Sequence, residues 1–286
     1  AVALSSDGTV LAVGASRYTH DGKSQAGGVW VYTWQADTSS WEQRGSALLS
    51  SAASAFFGSS VDLSDDGAVL AAGGRQDSQW RGVVRVFVWA SGAWSQRGAD
   101  LTGSSSQANF GTRVRLSSDG LTLAVGAHKE SSATGTDSAG AVRAYTWNPT
   151  SGRHVAKGSA IYGATSNDRL GSGLALSSDG TVLAAGAPGY GGWMKGRVRV
   201  YEWASAAGAS VAWVQRGGDL DGEGNGDEFG WSVALSSDGA RLVVGARKAD
   251  GGATDTGSAS LFTYAAGATP AQGAWSRLMS DVYGEV

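Results

Sequence analysis

The densest run of ligand-type side chains is Asp219-Leu220-Asp221-Gly222-Glu223-Gly224-Asn225-Gly226-Asp227-Glu228. Closely spaced carboxylate and amide oxygens are what calcium requires, since it takes roughly six to eight of them. Asp219, Asp221, Glu223, Asn225 and Asp227 are therefore the candidate metal ligands and calcium the candidate cofactor. A solvated acidic turn is the competing reading. A second group is aromatic: Tyr18, Trp80, Tyr190 and Trp193 stand outside every repeated pattern, in variable segments. Flat rings there suit stacking on a sugar or another ligand. The three histidines, His20, His128 and His154, have no Asp or Glu at metal-triad spacing. There is no cysteine, and no Gly-x-Ser-x-Gly elbow follows a strand.

These residues are carried by a repeat. Ser-x-Asp-Gly corners, flanked by apolar runs, fall at Gly8, Gly67, Gly120, Gly180 and Gly239. Each run before a corner is short and β-prone, each corner suits a tight turn, and each run after it reads as a returning strand. A third strand alternates with period two, most plainly in Arg197-Val198-Arg199-Val200-Tyr201-Glu202-Trp203. A fourth carries Trp41-Glu42-Gln43-Arg44-Gly45, Trp94-Ser95-Gln96-Arg97-Gly98 or Trp213-Val214-Gln215-Arg216-Gly217, degraded to His154-Val155-Ala156-Lys157-Gly158. Its Trp could stack on sugars and its Arg clamp anions, but recurrence once per repeat favours packing between repeats. No segment holds a helical period with caps. The expected fold is all-β, a five-bladed β-propeller of four-stranded antiparallel blades, with a fragment of a longer array as the rival reading. The blades are expected at about 1–57, 58–110, 111–170, 171–229 and 230–286, as one domain.

Composition limits the partners. The net charge is −3 with Lys and Arg scattered, which argues against nucleic acid and anionic membranes. No apolar stretch reaches the ~20 residues that span a bilayer. Apolar residues make up 42% of the chain and include twelve Trp, enough for a core.

Phe57-Gly58, Phe110-Gly111, Leu170-Gly171, Phe229-Gly230 and Tyr283-Gly284 form one recurring pair. Gly14-Ala15, Gly73-Gly74, Gly126-Ala127, Gly186-Ala187-Pro188 and Gly245-Ala246 form another, after the second strands. Together they resemble the FG-GAP repeat of integrin-α-like propellers, over essentially the whole chain. That resemblance implies adhesion, ligand binding or extracellular assembly without catalysis. It also raises calcium, although no Asp-x-Asp-x-Asp-Gly loop of the integrin kind is present. The Ser-x-Asp-Gly corners differ from the sialidase Asp-box, which has a residue between Asp and Gly.

The expectation is thus a non-catalytic, extracellular or cell-surface module whose signal peptide lies outside these residues. It would bind a protein partner or join a larger assembly through the face bearing loops 16–28, 74–81, 128–139, 188–195 and 247–257, together with 46–57, 102–109, 160–169 and 219–228. One alternative is a glycan-binding module using the four off-repeat aromatics. Another is a propeller hydrolase with a central-channel site. The first-strand positions that would serve it are Ala3, Asp62, Arg115, Ala175 and Ala234, of which only Asp62 is a carboxylate. No catalytic residue is assigned.

Overall fold

A computed structural model describes residues 1–132, 134–205, 211–250 and 255–284. Residues 133, 206–210 and 251–254 of the expected variable segments lie outside the described residues. The chain is all-β, and its strands form five antiparallel blades of the propeller type. Blade one contains Val2–Leu4, Val10–Ala15, Gly28–Gln35 and Ser40–Gln43; blade two contains Phe57–Leu63, Val69–Gly74, Val83–Ala90 and Ala93–Gln96. Blade three contains Phe110–Leu116, Thr122–Ala127, Ala141–Asn148 and Arg153–Ala156. Blade four contains Gly173–Leu176, Val182–Ala187, Arg197–Ser205 and Val211–Gln215, and blade five Phe229–Leu235, Arg241–Ala246, Ser258–Ala265 and Ala274–Arg277.

Each blade also has a short fifth strand beyond the four expected: Leu48–Leu49, Leu101–Thr102, Ile161–Tyr162, Leu220–Asp221 and Val282–Tyr283. The cause is a length mismatch. In blade one, Tyr32 to Gln35 pair with the fourth strand, which leaves the edge at Gly28 and Val29 to bond Leu49 and Leu48. This moves Tyr283-Gly284 out of the Phe-Gly series. Gly284 N donates to Gly257 O, as Gly103 N does to Gly82 O and Gly222 N to Gly196 O, so Tyr283-Gly284 follows a fifth strand.

By compactness the chain divides into two units, Ala1–Ala127 with Tyr145–Val155, and His128–Ala144 with Ala156–Val286. In the first, Val10, Ala12, Val29, Val31, Phe57, Val61 and Leu70 form a core between blades one and two. In the second, Val182, Ala184, Val198, Val200, Phe229, Leu242 and Phe262 do the same for blades four and five. The glycine pairs of the repeat set this approach. A Cβ on Gly14 would stand 2.2 Å from Gly58 O, and one on Gly186 only 1.9 Å from Gly230 O. Gly58 and Gly230 also have φ of 81° and 86°, which favours glycine. Gly186→Ala is therefore expected to lower stability by about 3 kcal/mol or more, read as the urea midpoint, because backbone on both sides of the contact cannot yield.

The corners and the Trp-x-Gln-Arg-Gly motif are also framework. Ser5 Oγ donates to Asp7 Oδ1 at 2.6 Å and accepts from Val10 N at 2.9 Å, and the other four corners repeat this closed arrangement. Arg44 of blade one lies over Trp89 and Trp94 of blade two, donates to Gly67 O at 3.1 Å, and its carbonyl accepts from Trp94 Nε1 at 2.9 Å. His154 stands where the other blades carry Trp. Burial, then the charge of Arg97, lowers its pKa from 6.5 to about 4, and its Nδ1 has no hydrogen-bond partner. His154→Trp is expected to raise the melting temperature by about 3 °C, worth about 1 kcal/mol, by supplying an indole N–H for the Arg97 carbonyl.

Candidate active site

The acidic stretch is largely consumed by arginines. Arg199 donates to both carboxylate oxygens of Asp219, at 2.9 and 3.1 Å, and Gln215 adds a third bond at 2.8 Å. Burial raises the Asp219 pKa, but these donors and the charge of Arg197 outweigh it, and the net shift is downward. Asp221 is held by Arg197 at 2.6 and 2.8 Å. Glu223, Asn225 and Asp227 instead line a cleft of about 250 Å³ with Asp250, Arg277 and Asp281. Within it Arg277 pairs with Glu223 and Asp281, and Asp227 accepts from Gly224 N at 2.8 Å. Among the described residues, no group of three or more His, Asp or Glu side chains is arranged to hold a metal ion.

The aromatic candidates are dispersed over three blades. Tyr18 packs edge-on against Trp30 at 5.0 Å. Trp80 ends the short helix Asp77–Trp80 and is 55% exposed. Tyr190 and Trp193 share the turn Tyr190–Met194, but Tyr190 lies under the Arg197 guanidinium at 3.7 Å while Trp193 is 74% exposed.

The first strands of blades two and three hold a different group. Asp62 lies in Phe57–Leu63, and its Oδ2 accepts the backbone N–H of Leu116 at 2.7 Å. Burial raises its pKa from 3.8 to about 6, against the opposing charge of Arg115 and the Leu116 hydrogen bond. Arg113 and Arg115 sit two residues apart, so period two puts them on one side of Phe110–Leu116. Arg115 Nη1 donates to Val114 O at 2.9 Å and Arg113 Nη1 to Thr112 O at 3.3 Å. Among the described residues, neither guanidinium forms an ion pair. Burial and then the charge of Arg115 lower the Arg113 pKa. A carboxylate that takes a proton near pH 6 and feels the charge of Arg115, itself coupled to Arg113, can activate water and stabilise an oxyanion.

Arg113 was not among the candidates. Its signal was the pair of charges at 113 and 115, where the other first strands carry Ser60 and Asp62, Gly173 and Ala175, or Ser232 and Ala234. The ordinary reading of Asp62 is a polar cap on a strand edge. A pKa raised that far by burial is also what catalytic bases show.

Residues 220–262 match the model of the FG-GAP repeat family, which bears out the resemblance read from the Phe-Gly and Gly-Ala pairs. No curated protein matches the chain in sequence. Among solved structures, the chain is similar to the periplasmic gluconolactonase of Pseudomonas aeruginosa, with a TM-score of 0.56 and 15% identity over 96% of this chain and 70% of that one. It is similar to Hsv2 of Kluyveromyces lactis, with a TM-score of 0.55 and 13% identity over 95% and 70%. A putative 6-phosphogluconolactonase of Bacteroides fragilis matches with a TM-score of 0.52 and 13% identity over 92% and 66%. These likenesses establish the propeller fold.

They also correct the expectation of a non-catalytic adhesion or assembly module, and with it the assignment of no enzyme activity. Two of these three neighbours are named as lactonases, so the hydrolase alternative is the better supported one. The earlier inference rested on Asp62 being the sole first-strand carboxylate.

Proposed function

We propose that this protein is a propeller hydrolase that opens lactones, with Asp62 as general base and Arg113 and Arg115 as the anion-stabilising pair. The observation that carries this reading is the Asp62 carboxyl, bonded to Leu116 N and raised to about 6 against the charge of Arg115, which with Arg113 forms no ion pair among the described residues. The fold likeness to a periplasmic gluconolactonase supports the choice of substrate class, and an exported or periplasmic setting.

In the proposed reaction, a water molecule gives a proton to the Asp62 carboxylate while its oxygen bonds to the lactone carbonyl carbon. The carbonyl electron pair moves onto oxygen, where the guanidiniums stabilise it. Collapse breaks the ring C–O bond, and the leaving alkoxide takes the proton back from Asp62. The product is an open hydroxy acid whose carboxylate suits the same arginines. The chemistry needs the ionised carboxylate, so activity rises with pH through about 6 and then levels.

The test is acid release from gluconolactone, followed in a pH-stat. Saturable acceleration over the buffer reaction, absent in Asp62→Asn, is expected. Equal rates with and without the protein would remove the proposal.

A further inference from the structure

The third residue of the third strand is Arg85, Arg143 and Arg199 in blades two, three and four. Each guanidinium meets carboxylates of its own blade. Arg85 bonds both oxygens of Asp100 at 3.0 to 3.1 Å and reaches Asp77 at 3.2 Å. Arg143 pairs with Glu130, and Arg199 bonds both oxygens of Asp219. In blade four Arg197 adds a second guanidinium, held by Asp221 and lying 3.7 Å from the Tyr190 ring.

Blade five keeps the frame of this arrangement and lacks its cation. Ser258 pairs with Tyr283 as Arg197 does with Asp221, so Ser258 and Ser260 hold the places of Arg197 and Arg199. Asp281 stands just before the fifth strand, as Asp100 and Asp219 do. Gly257 N donates to Ala249 O as Gly196 N does to Tyr190 O, so Ala249 holds the place of Tyr190. Three large side chains of blade four are thus two serines and an alanine in blade five. The cleft of about 250 Å³, bordered by Ser258, Ala249 and Asp281, is the space they leave.

The carboxylates remain. The Asp281 side chain is only 8% exposed, and Ser260 Oγ at 2.6 Å and Arg277 at 3.1 Å both meet its Oδ1. In blades two and four, by contrast, arginine bonds both oxygens of the equivalent aspartate. Glu223, Asp227 and Asp250 line the same cleft, so four carboxylates face one guanidinium, that of Arg277.

The occupant is narrowed by the rest of the chain. Calcium needs roughly six to eight converging oxygens, and among the described residues no group of three or more such side chains is arranged to hold a metal ion. The equivalent aspartates of blades two and four take a planar guanidinium fork, which matches a carboxylate with two parallel bonds. All residues of the cleft belong to one compact unit, His128–Ala144 with Ala156–Val286.

We propose that this cleft binds an alkylguanidinium ligand, whose fork takes the place that arginine side chains fill in blade four. Asp281 accepts its N–H donors beside Ser258, and Phe229 and Tyr283 border its alkyl stem. A free guanidino compound and an arginine of a peptide share this chemistry. The site uses none of the residues assigned to lactone opening.

The experiment titrates the ¹⁵N-labelled protein with butylguanidinium chloride at low salt and follows the backbone amides of Gly224 and Ser258. Saturable shifts are expected, and butylammonium should bind at least about tenfold more weakly because it lacks the planar fork. Asp281→Asn, which keeps the side chain's shape, should weaken binding about tenfold. Ser258→Arg, which supplies a guanidinium from the chain itself, should abolish it. Acetyl-Gly-Arg-Gly-amide, run in parallel, separates the sources: tighter binding than butylguanidinium assigns the site to a peptide arginine, equal or weaker binding to a free guanidino compound. Equal binding of butylguanidinium and butylammonium, or no saturation by about 50 mM, would overturn the proposal. So would unchanged binding in Asp281→Asn, or calcium moving the same amides at lower concentration.

Discussion

Asp62→Asn is expected to abolish at least about 99% of lactone opening while making the protein more stable at neutral pH. The activity loss follows from removing the proton acceptor, a contribution typically worth 10²–10⁴-fold. The stability gain follows from linkage. The folded-state pKa of Asp62 is raised from 3.8 to about 6, so between those values the folded chain holds the proton more tightly than the unfolded chain. The corresponding stability is fully present below about pH 4 and is lost as pH rises through about 6. At neutrality the charged side chain therefore costs roughly 3 kcal/mol, which Asn does not incur, and Asn still offers an oxygen to Leu116 N. Urea unfolding at pH 5 and pH 8 separates the two states. An Asp62 whose pKa is not raised in the folded chain predicts no gain at pH 8. Opposite signs for activity and stability mark a residue kept for chemistry.

Arg115→Gln is expected to lower kcat/KM by about 10²-fold, the usual scale for losing one oxyanion donor. It should also move the acid limb of the pH profile upward. The charge of Arg115 opposes the burial-driven rise at Asp62, so its removal leaves that rise less checked. The same change relieves Arg113, whose pKa is lowered by burial and by Arg115. A drop in rate with the limb still near pH 6 would mean that Arg115 does not act on Asp62. No change in kcat/KM would remove it from the site.

Much of the frame was legible because each repeat solves the same packing problem with the same residues. Gly14 and Gly58 must touch backbone to backbone, and no other side chain fits, so the Phe-Gly and Gly-Ala pairs stand out in the sequence. Ser5 and Asp7 close their corner locally, and Trp94 bonds the Arg44 carbonyl across a blade boundary, so both motifs recur. The fifth strands were not legible. Two-residue pairings such as Leu48–Leu49 follow from the unpaired edge of a long third strand and leave no pattern of their own. Tyr283-Gly284 imitated the aromatic-glycine pair in composition while serving a different hydrogen bond.

The candidate site was the least legible part, for a related reason. Asp62 and Arg115 belong to neighbouring blades, and their electrostatic coupling depends on first strands packed side by side. Arg113 appears ordinary in sequence. Its depressed pKa comes first from burial, which the spacing does not reveal, and then from the like charge of Arg115, which it does. The acidic stretch erred in the other direction, drawing notice for carboxylates of which Asp219 and Asp221 are already committed to Arg199 and Arg197.

The pH dependence of gluconolactone opening, measured for the wild-type protein beside Asp62→Asn, tests the central claim most directly. The proposed site predicts a saturable wild-type rate that rises through a single ionisation near pH 6 and then levels, with the limb gone and the rate near that of buffer in Asp62→Asn. A wild-type rate no faster than buffer, or one that keeps its pH profile after Asp62→Asn, would contradict it.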